Sequence, residues 1–523
     1  MPFEMPSITM LAVFQVFGLY VVFLFGLAIY RLYFSPLAGF PGPKITALTG
    51  LYQFYYDVVK GGQYVWVIEE MHKKYGPIVR IRPDVLHMND PESIDLIFGA
   101  PGKRRDKYKI AITGYASPNA ALGTTHHELH RIRRTPMNPF FSKQNVRKLE
   151  PVLQRTLEKV LVRLERNSKT GEPMVTNLLY SATTSDIIWD YCFGKSQNNL
   201  DKEDFNEPFF AANHEAGKGY HFATWNPWLI PTLTAVPKRI ALLLMPQLKT
   251  FIDLIEELSV RIADVRRDIK ESGSSDAVGS TILHSLLRNP NLSAADLTDV
   301  RLNDEARILL GAGTDTTANT LAAITYHLLA NPEILRKLRE ELITAIPDPS
   351  NEPPLAHIEA LPYLTGVIQE GIRMHPGASV RQDRVAPDED LFYEDRKSGK
   401  KWIIQRGTPV GMTAPLLGRN EHIYPDPLVF RPERFVENPR LDKYQLAFSR
   451  GSRRCLGMAL AYSELYTILS GIFRKYDLYD GTGKQSGPTL ELYQTGRDDV
   501  DMFADHVTPH VREESLGVRV IVR

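Results

Sequence analysis

From residue 7 to residue 30 the chain carries no charged side chain, and most positions are Leu, Val, Phe, Ile, Ala or Tyr. Wound as a helix, this stretch rises roughly 35 Å, enough to cross the roughly 30 Å hydrocarbon layer of a bilayer. A cleaved signal peptide is the rival reading. It has basic residues first, a shorter apolar run and a small-residue cleavage site. Here Glu4 precedes the run and Arg31 follows it. The expectation is therefore a retained single-pass transmembrane helix, with everything after Arg31 on the cytosolic side by the positive-inside rule.

The remaining chain must fold in water. Of the 523 residues, 43% are hydrophobic and 24% charged, enough for a large core. Basic residues (62) and acidic ones (61) nearly cancel, which gives no reason to expect a nucleic-acid partner. Two cysteines, Cys192 and Cys455, make no disulfide framework, so a reducing compartment is expected.

After the apolar run, Pro36, Pro41 and Pro43 fix their own φ and push their predecessors out of helix, predicting a short stiff elbow. Beyond it, apolar spacing of three and four predicts helices over 63–75, 143–166, 236–270, 294–329, 332–346 and 363–374. Strands are predicted at 78–82, 85–88, 401–404 and 518–522, and an exposed Gly/Ser-rich loop at 271–280. No clear linker splits the soluble part. The expected organisation is an anchor (1–31), a proline-rich hinge and lead-in (32–62), and one catalytic domain (63–523), mainly α with small β-sheets.

Chemistry concentrates around Cys455. In Phe448-Ser449-Arg450-Gly451-Ser452-Arg453-Arg454-Cys455-Leu456-Gly457, glycines stand four residues before and two after the cysteine. The segment runs into an apolar helix from Met458. A Gly/Arg-rich loop entering a helix amino terminus stabilises a thiolate through the dipole and free backbone amides. Gly451 and Gly457 would let the backbone curl around the sulfur and a flat ring. Arg453 could pair with a carboxylate on that ring. Cys192 reads as a buried structural thiol.

This segment resembles the haem-binding loop of the cytochrome P-450 superfamily, Phe-x-x-Gly-x-Arg-x-Cys-x-Gly, at every fixed position. The resemblance implies that fold and haem b (iron protoporphyrin IX). It implies Cys455 as the thiolate ligand to iron, Phe448 against the sulfur side, and Arg453 on a haem propionate.

The predicted helix at 294–329 contains Gly311-Ala312-Gly313-Thr314-Asp315-Thr316-Thr317, a poor helix by propensity. Glycine and alanine would admit a flat ligand, and threonine hydroxyls can open the ladder for a water. By itself the segment could equally be a kinked helix with Asp315 as a local cap. It is similar to the family's Ala/Gly-Gly-x-Asp/Glu-Thr-Thr/Ser motif. The resemblance implies that Ala312 and Gly313 lie against the haem. It also implies that Asp315 and Thr316 deliver protons during dioxygen reduction.

Glu370-Gly371-Ile372-Arg373 and Arg431-Pro432-Glu433-Arg434-Phe435 resemble the family's Glu-x-x-Arg helix and Pro-Glu-Arg-Phe turn. The implication is a buried, structural triad of Glu370, Arg373 and Arg434. The 126–134 stretch invites a zinc reading, but it lacks the His-Glu-x-x-His spacing and a third ligand. The family carries Trp-x-x-x-Arg there. This sequence departs by placing His130 at the Trp position, while Arg134 matches. An imidazole also donates, so both are expected on a propionate, with Arg384 as a further propionate arginine.

The resemblance covers nearly the whole chain. It looks like fungal endoplasmic-reticulum members, many of which tailor terpenoids, polyketides or alkaloids. The implied function is a monooxygenase acting on a lipophilic small molecule. The implied partners are an NADPH-cytochrome P-450 reductase and, as a second electron donor, cytochrome b5. Arg131, Arg133, Arg450 and Arg454 are candidates for the docking face. A reductase-independent isomerase or dehydratase is the alternative, which Asp315-Thr316 argues against. A non-enzymatic haem sensor or carrier is the other. Pocket residues are expected in 109–122, before Gly311, and in 377–382 and 498–504.

Overall fold

The computed structural model describes residues 10–229, 232, 235–272, 281–349 and 353–523. Residues 1–9, with Glu4, and 273–280 of the Gly/Ser-rich stretch lie outside them. The architecture is mainly helical, with four small sheets.

Met10–Ile29 is a helix whose apolar side chains face outward, with Phe14 and Leu19 both about two-thirds exposed or more. Ala12–Phe34 is, among the described residues, the one helical stretch long and apolar enough to cross a membrane. The elbow that follows is tied to the body. Arg31 donates to the Leu48 carbonyl (2.6 Å), and Arg80 donates back to the Arg31 carbonyl (2.8 Å). Residues 44–59 then fold as short helices, with Thr46, Gln53 and Asp57 buried.

The centre is the helix Asp299–Ala330, capped by the Thr298 side chain accepting from the Arg301 N–H. Beside it lies Thr176–Phe193, a helix buried on nearly every face. It carries no polar stripe, so spacing did not reveal it. The two are locked by a hydrogen bond from the Thr184 hydroxyl to the Thr314 carbonyl (2.9 Å). Pro332–Ala345, Pro362–Met374 and Met458–Lys475 complete the core around them.

Two helices expected as continuous are broken, each at a proline. The 143–166 prediction divides into Lys143–Val146 and Glu150–Thr170, with a proline in the first turn of the second. The 236–270 prediction divides into Lys238–Leu244 and Lys249–Ser272 around the turn Pro246–Leu248.

The sheet that matters for the site has five strands in the order Ile78–Arg80, Leu86–Met88, Pro409–Gly411, Arg384–Val385, Asp106–Lys107. Its edge is antiparallel, with Lys107 directly opposite Arg384. The predicted strand 401–404 pairs with Leu391–Glu394 in a hairpin. Arg519–Val522 pairs with Thr489–Leu492 and with Met174–Val175.

Candidate active site

The cysteine loop is shaped by one glycine. Gly451 has φ +68°, and a Cβ there would stand 2.1 Å from the Phe98 carbonyl oxygen, so only glycine fits. The Cys455 N–H donates to the Phe448 carbonyl (2.7 Å), closing the loop before Met458–Lys475 begins. The Phe448 ring lies 5.2 Å from that of Tyr462. Burial pushes the Cys455 thiol up, while the Gly457 N–H and the Arg134 guanidinium pull it down. Gly457 differs from its expectation. Its φ is −83°, open to any residue, and no heavy atom lies within 4 Å of a Cβ built there. Space rather than backbone conformation is what a side chain at 457 would take up.

Cys455 faces a cavity of about 1530 Å³. Cys192 is packed in the core and lines no part of it. Across the cavity stand Gly311, Ala312, Asp315 and Thr316 of the central helix. That helix runs unbroken, so Asp315 is not a cap, and the Thr316 hydroxyl donates to the Ala312 carbonyl (2.8 Å). Asp315 presents its carboxyl to the enclosed space, and removal from bulk water raises its pKa to about 6. Gly377 lets the following loop press on Thr316, since a Cβ there would fall 2.6 Å from the Thr316 Cβ.

Gly313 is a correction. It does not line the cavity. A Cβ at 313 would meet Ile188 at 2.8 Å, so this glycine serves the packing of Thr176–Phe193 on the central helix. Gly311 has nothing within 4 Å and is the glycine that faces the cavity. One residue is about 100° of helical turn, which is why the sequence named a glycine but not its face.

Around the rim stand cations outside ion-pair distance of any carboxylate among the described residues, although Asp383 acts on Arg384 and Asp106 on Arg453 from farther away. Arg384 donates to the Asp383 carbonyl (2.9 Å) and the Ser449 hydroxyl (2.8 Å). Arg453 donates to the carbonyls of Thr124 and Thr125, both at 2.7 Å. Each Nε lacks an acceptor among the described residues. Burial lowers Arg384 to about 10, and burial with the nearby Arg384 lowers Arg453 to about 9. Lys107, which no motif marked, joins them on the cavity wall. None of Lys107, Arg134, Arg384 and Arg453 makes an ion pair within 4.0 Å among the described residues.

His130 and Arg134 depart from expectation, because neither lines the cavity. Arg134 is occupied by the Arg454 carbonyl (2.5 Å) and the Asn138 side chain (3.2 Å). Burial, then the charges of Arg453 and Arg134, lowers His130 to about 2, leaving a neutral ring. Among the described residues no group of three or more His, Cys, Asp or Glu side chains is placed to hold a metal ion.

Glu370, Arg373 and Arg434 come together. Arg373 grips Glu370 with two hydrogen bonds (2.7 and 2.8 Å) and also donates to the carbonyls of Gly418 and Pro427. Arg434 (3.2 Å) and the Arg431 N–H (2.9 Å) reach the same carboxylate. Of the docking candidates, Arg133 is withdrawn into an ion pair with Asp296 (3.2 Å), while Arg131, Arg450 and Arg454 are surface residues.

The pocket stretches expected from sequence line the cavity in part, and Glu207–Lys218 and residues 506–519 add to it. These came from elements with no chemical motif to mark them. A flat group bearing a metal and two carboxylates fits what is present. A sulfur stands on one side, small residues on the other, and unpaired cations at the edge.

Comparison with known proteins agrees. The cytochrome P-450 family profile matches residues 41–494. Cytochrome P-450 monooxygenase tpcC of Cochliobolus heterostrophus is 40% identical, over 95% of this chain and 94% of its own. Cytochrome P-450 monooxygenase MO6277 of Ascocoryne sarcoides is 38% identical over 97% and 98%. Cytochrome P-450 monooxygenase astB of Talaromyces wortmannii is 39% identical over 96% and 97%. The family uses haem with a cysteine thiolate as axial ligand. The chain belongs to the cytochrome P-450 family and is a haem monooxygenase.

Proposed function

We propose that this enzyme inserts one oxygen atom of dioxygen into a lipophilic small molecule, a terpenoid, polyketide or alkaloid intermediate, with electrons from NADPH. The observation that carries the reading is a single large cavity holding Cys455 on one wall and Asp315-Thr316 on the other. When bound, a thiolate-ligated haem activates dioxygen for insertion into a C–H or C=C bond, with release of water. Cys455 is the ligand in this reading, supported by its place in the cavity wall. Arg384 and Arg453 hold the haem carboxylates.

The remaining steps belong to side chains. Asp315, at a pKa of about 6, exchanges protons near neutral pH. It takes a proton from solvent and passes it to a water beside Thr316. The Thr316 hydroxyl accepts from that water while donating to the Ala312 carbonyl. Largely apolar side chains of the cavity, Ile112, Leu254 and Val380 among them, hold the substrate and exclude bulk water. The Glu370 triad is structural. The apolar helix anchors residues 1–31 in the endoplasmic-reticulum membrane, the hinge covers 32–62, and the catalytic domain 63–523 lies in the cytosol. Electrons arrive through NADPH-cytochrome P-450 reductase, with cytochrome b5 as a second donor. Arg131, Arg450 and Arg454 offer it a basic surface.

The test is expression in microsomes with reductase, with NADPH consumption and product followed against candidate scaffolds. Oxygenated product matched to NADPH use, together with a thiolate-type carbon monoxide band, is expected. Conversion of a peroxide substrate without NADPH would replace this reading with the isomerase one.

A further inference from the structure

Two imidazoles on the cavity wall take no part in the proton steps above. The strands Ala504–His506 and Thr508–His510 pair antiparallel, with Ala504 opposite His510 and His506 opposite Thr508. Alternation along each strand puts His506 and His510 on one face of the hairpin. Both line the cavity, at 8% and 4% exposure, with ring centroids 4.8 Å apart. His214, from Glu207–Lys218, stacks on His510 at 3.8 Å. The hairpin tip is strained: Val507 has φ +79°, an outlier for a β-branched residue. Ser379 props it, its N–H donating to the Val507 carbonyl (2.9 Å) and its hydroxyl to Asp505 (2.8 Å). Strain held in this way gathers where a fold aims side chains at a ligand. The Nδ1 of each imidazole is buried and without a hydrogen-bond partner among the described residues. Burial foremost, with neighbouring imidazoles and Lys218, lowers His506 to about 4 and His510 to about 2, so both rings are neutral and carry one N–H each. The proton is assigned to Nε2, because a buried N–H with no acceptor is disfavoured. Gly217 leaves the His510 Nε2 uncovered, since even a Cβ there would stand 3.6 Å away. An entering anion would lose its water and meet no free counter-charge, as Lys218 is paired with Glu215 (2.8 Å). A carbonyl oxygen, with two lone pairs for two donors, fits.

We propose that His506 and His510 grip one carbonyl oxygen of the substrate, making them specificity-determining residues of this chain. The substrate is then a lipophilic compound that already carries a ketone or lactone, held by that group while a carbon elsewhere is oxidised. The grip rests on the reading that haem at Cys455 oxidises a substrate in this cavity. A molecule lacking the oxygen would leave two N–H groups unpaired against an apolar surface, which is how a polar point in an apolar cavity selects.

The test uses purified holoenzyme and the spectral shift of its haem as a ligand enters. The probes are decalin, perhydrophenanthrene and androstane, each as hydrocarbon, mono-ketone and carboxylic acid. In wild type at least one ketone should bind about tenfold tighter or more than its hydrocarbon, the scale of one or two hydrogen bonds. The matching acid should bind no tighter than the ketone. His506→Phe and His510→Phe keep a ring in each place and remove the N–H. They should hold the hydrocarbon as wild type does and lose most of the ketone preference. His510→Gln, whose amide N–H reaches about where Nε2 stood, should keep much of it, and His510→Ala should not. The carbon monoxide band of each variant checks that it is folded and haem-loaded, and the Gln and Ala pair repeats the comparison with smaller side chains. No ketone preference in wild type, an acid held tighter than its ketone, or a preference that survives the loss of both imidazoles would overturn the carbonyl grip alone. A wild type without the thiolate-type band would overturn the haem reading with it.

Discussion

Two groups of buried charges are built on opposite principles. Around Glu370 the account closes within the protein: one carboxylate meets two guanidiniums and a backbone N–H, and the spare donors of Arg373 reach carbonyls. Around Lys107, Arg384 and Arg453 it stays open, with three cations on one cavity wall and no carboxylate in ion-pair reach among the described residues. A closed set of charges is scaffolding, and removing one member harms the fold. A set left open within the chain is a site, and removing one member harms binding while the protein itself gains or loses little.

The largest effect should come from the closed set. Arg373→Ala strips Glu370 of its bidentate partner and should cost about 3–5 kcal/mol, seen as a collapse in melting temperature and yield. A normal melting curve would break the contrast at its root.

On the cavity side, Thr316→Ala should leave folding and haem content intact. It removes only the hydroxyl that positions a water, and alanine is the better helix former. Product per NADPH should fall, with hydrogen peroxide rising in its place. Positioned acid–base groups are typically worth roughly 10²–10⁴ in rate. Unchanged coupling would reduce Thr316 to a helix residue.

Arg384→Met sharpens the comparison most directly. Haem loss should speed up about tenfold or more, as for one charge-assisted contact. The melting temperature of the haem-free protein should hold or rise, since a repulsion with Lys107 is relieved. A haem-free protein as damaged as Arg373→Ala would mean that both sets are scaffolding.

The smallest effect concerns pH. Asp315 has a folded pKa of about 6, above its ordinary 3.8, so the fold prefers the protonated acid. That preference is fully present below the ordinary value and is lost as pH rises through about 6. Asp315→Asn should therefore gain on wild type at pH 8, by at most about 3 kcal/mol and less for a carboxyl facing a cavity. At pH 4 the two should melt alike. A pH-independent difference would show that the carboxyl is not perturbed.

How much could be read beforehand follows the same division. Glu370 and Arg373 are three residues apart, and the Cys455 loop is ten residues long, so both are visible locally. Lys107 is defined by a strand pairing with Arg384, which no window of sequence contains. Gly313 was legible as a glycine but not as the one facing Ile188. Thr176–Phe193 escaped because a helix buried all round has no alternation to detect. The proline breaks near 150 and 246 were written in the sequence and overridden by spacing that continues through them.

Gly451 has a wider consequence. Its backbone abuts the Phe98 carbonyl, while the Arg384 guanidinium rests 4.8 Å above the Phe98 ring centroid. The short helix Ile94–Phe98 thus touches both the loop that presents the sulfur and the strand that presents the cation. It acts as a gauge block, setting how far apart the two grips stand. Phe98→Ala would remove the ring under Arg384 and keep the main-chain carbonyl against Gly451, so it should slacken the cation's grip while leaving the sulfur loop in place.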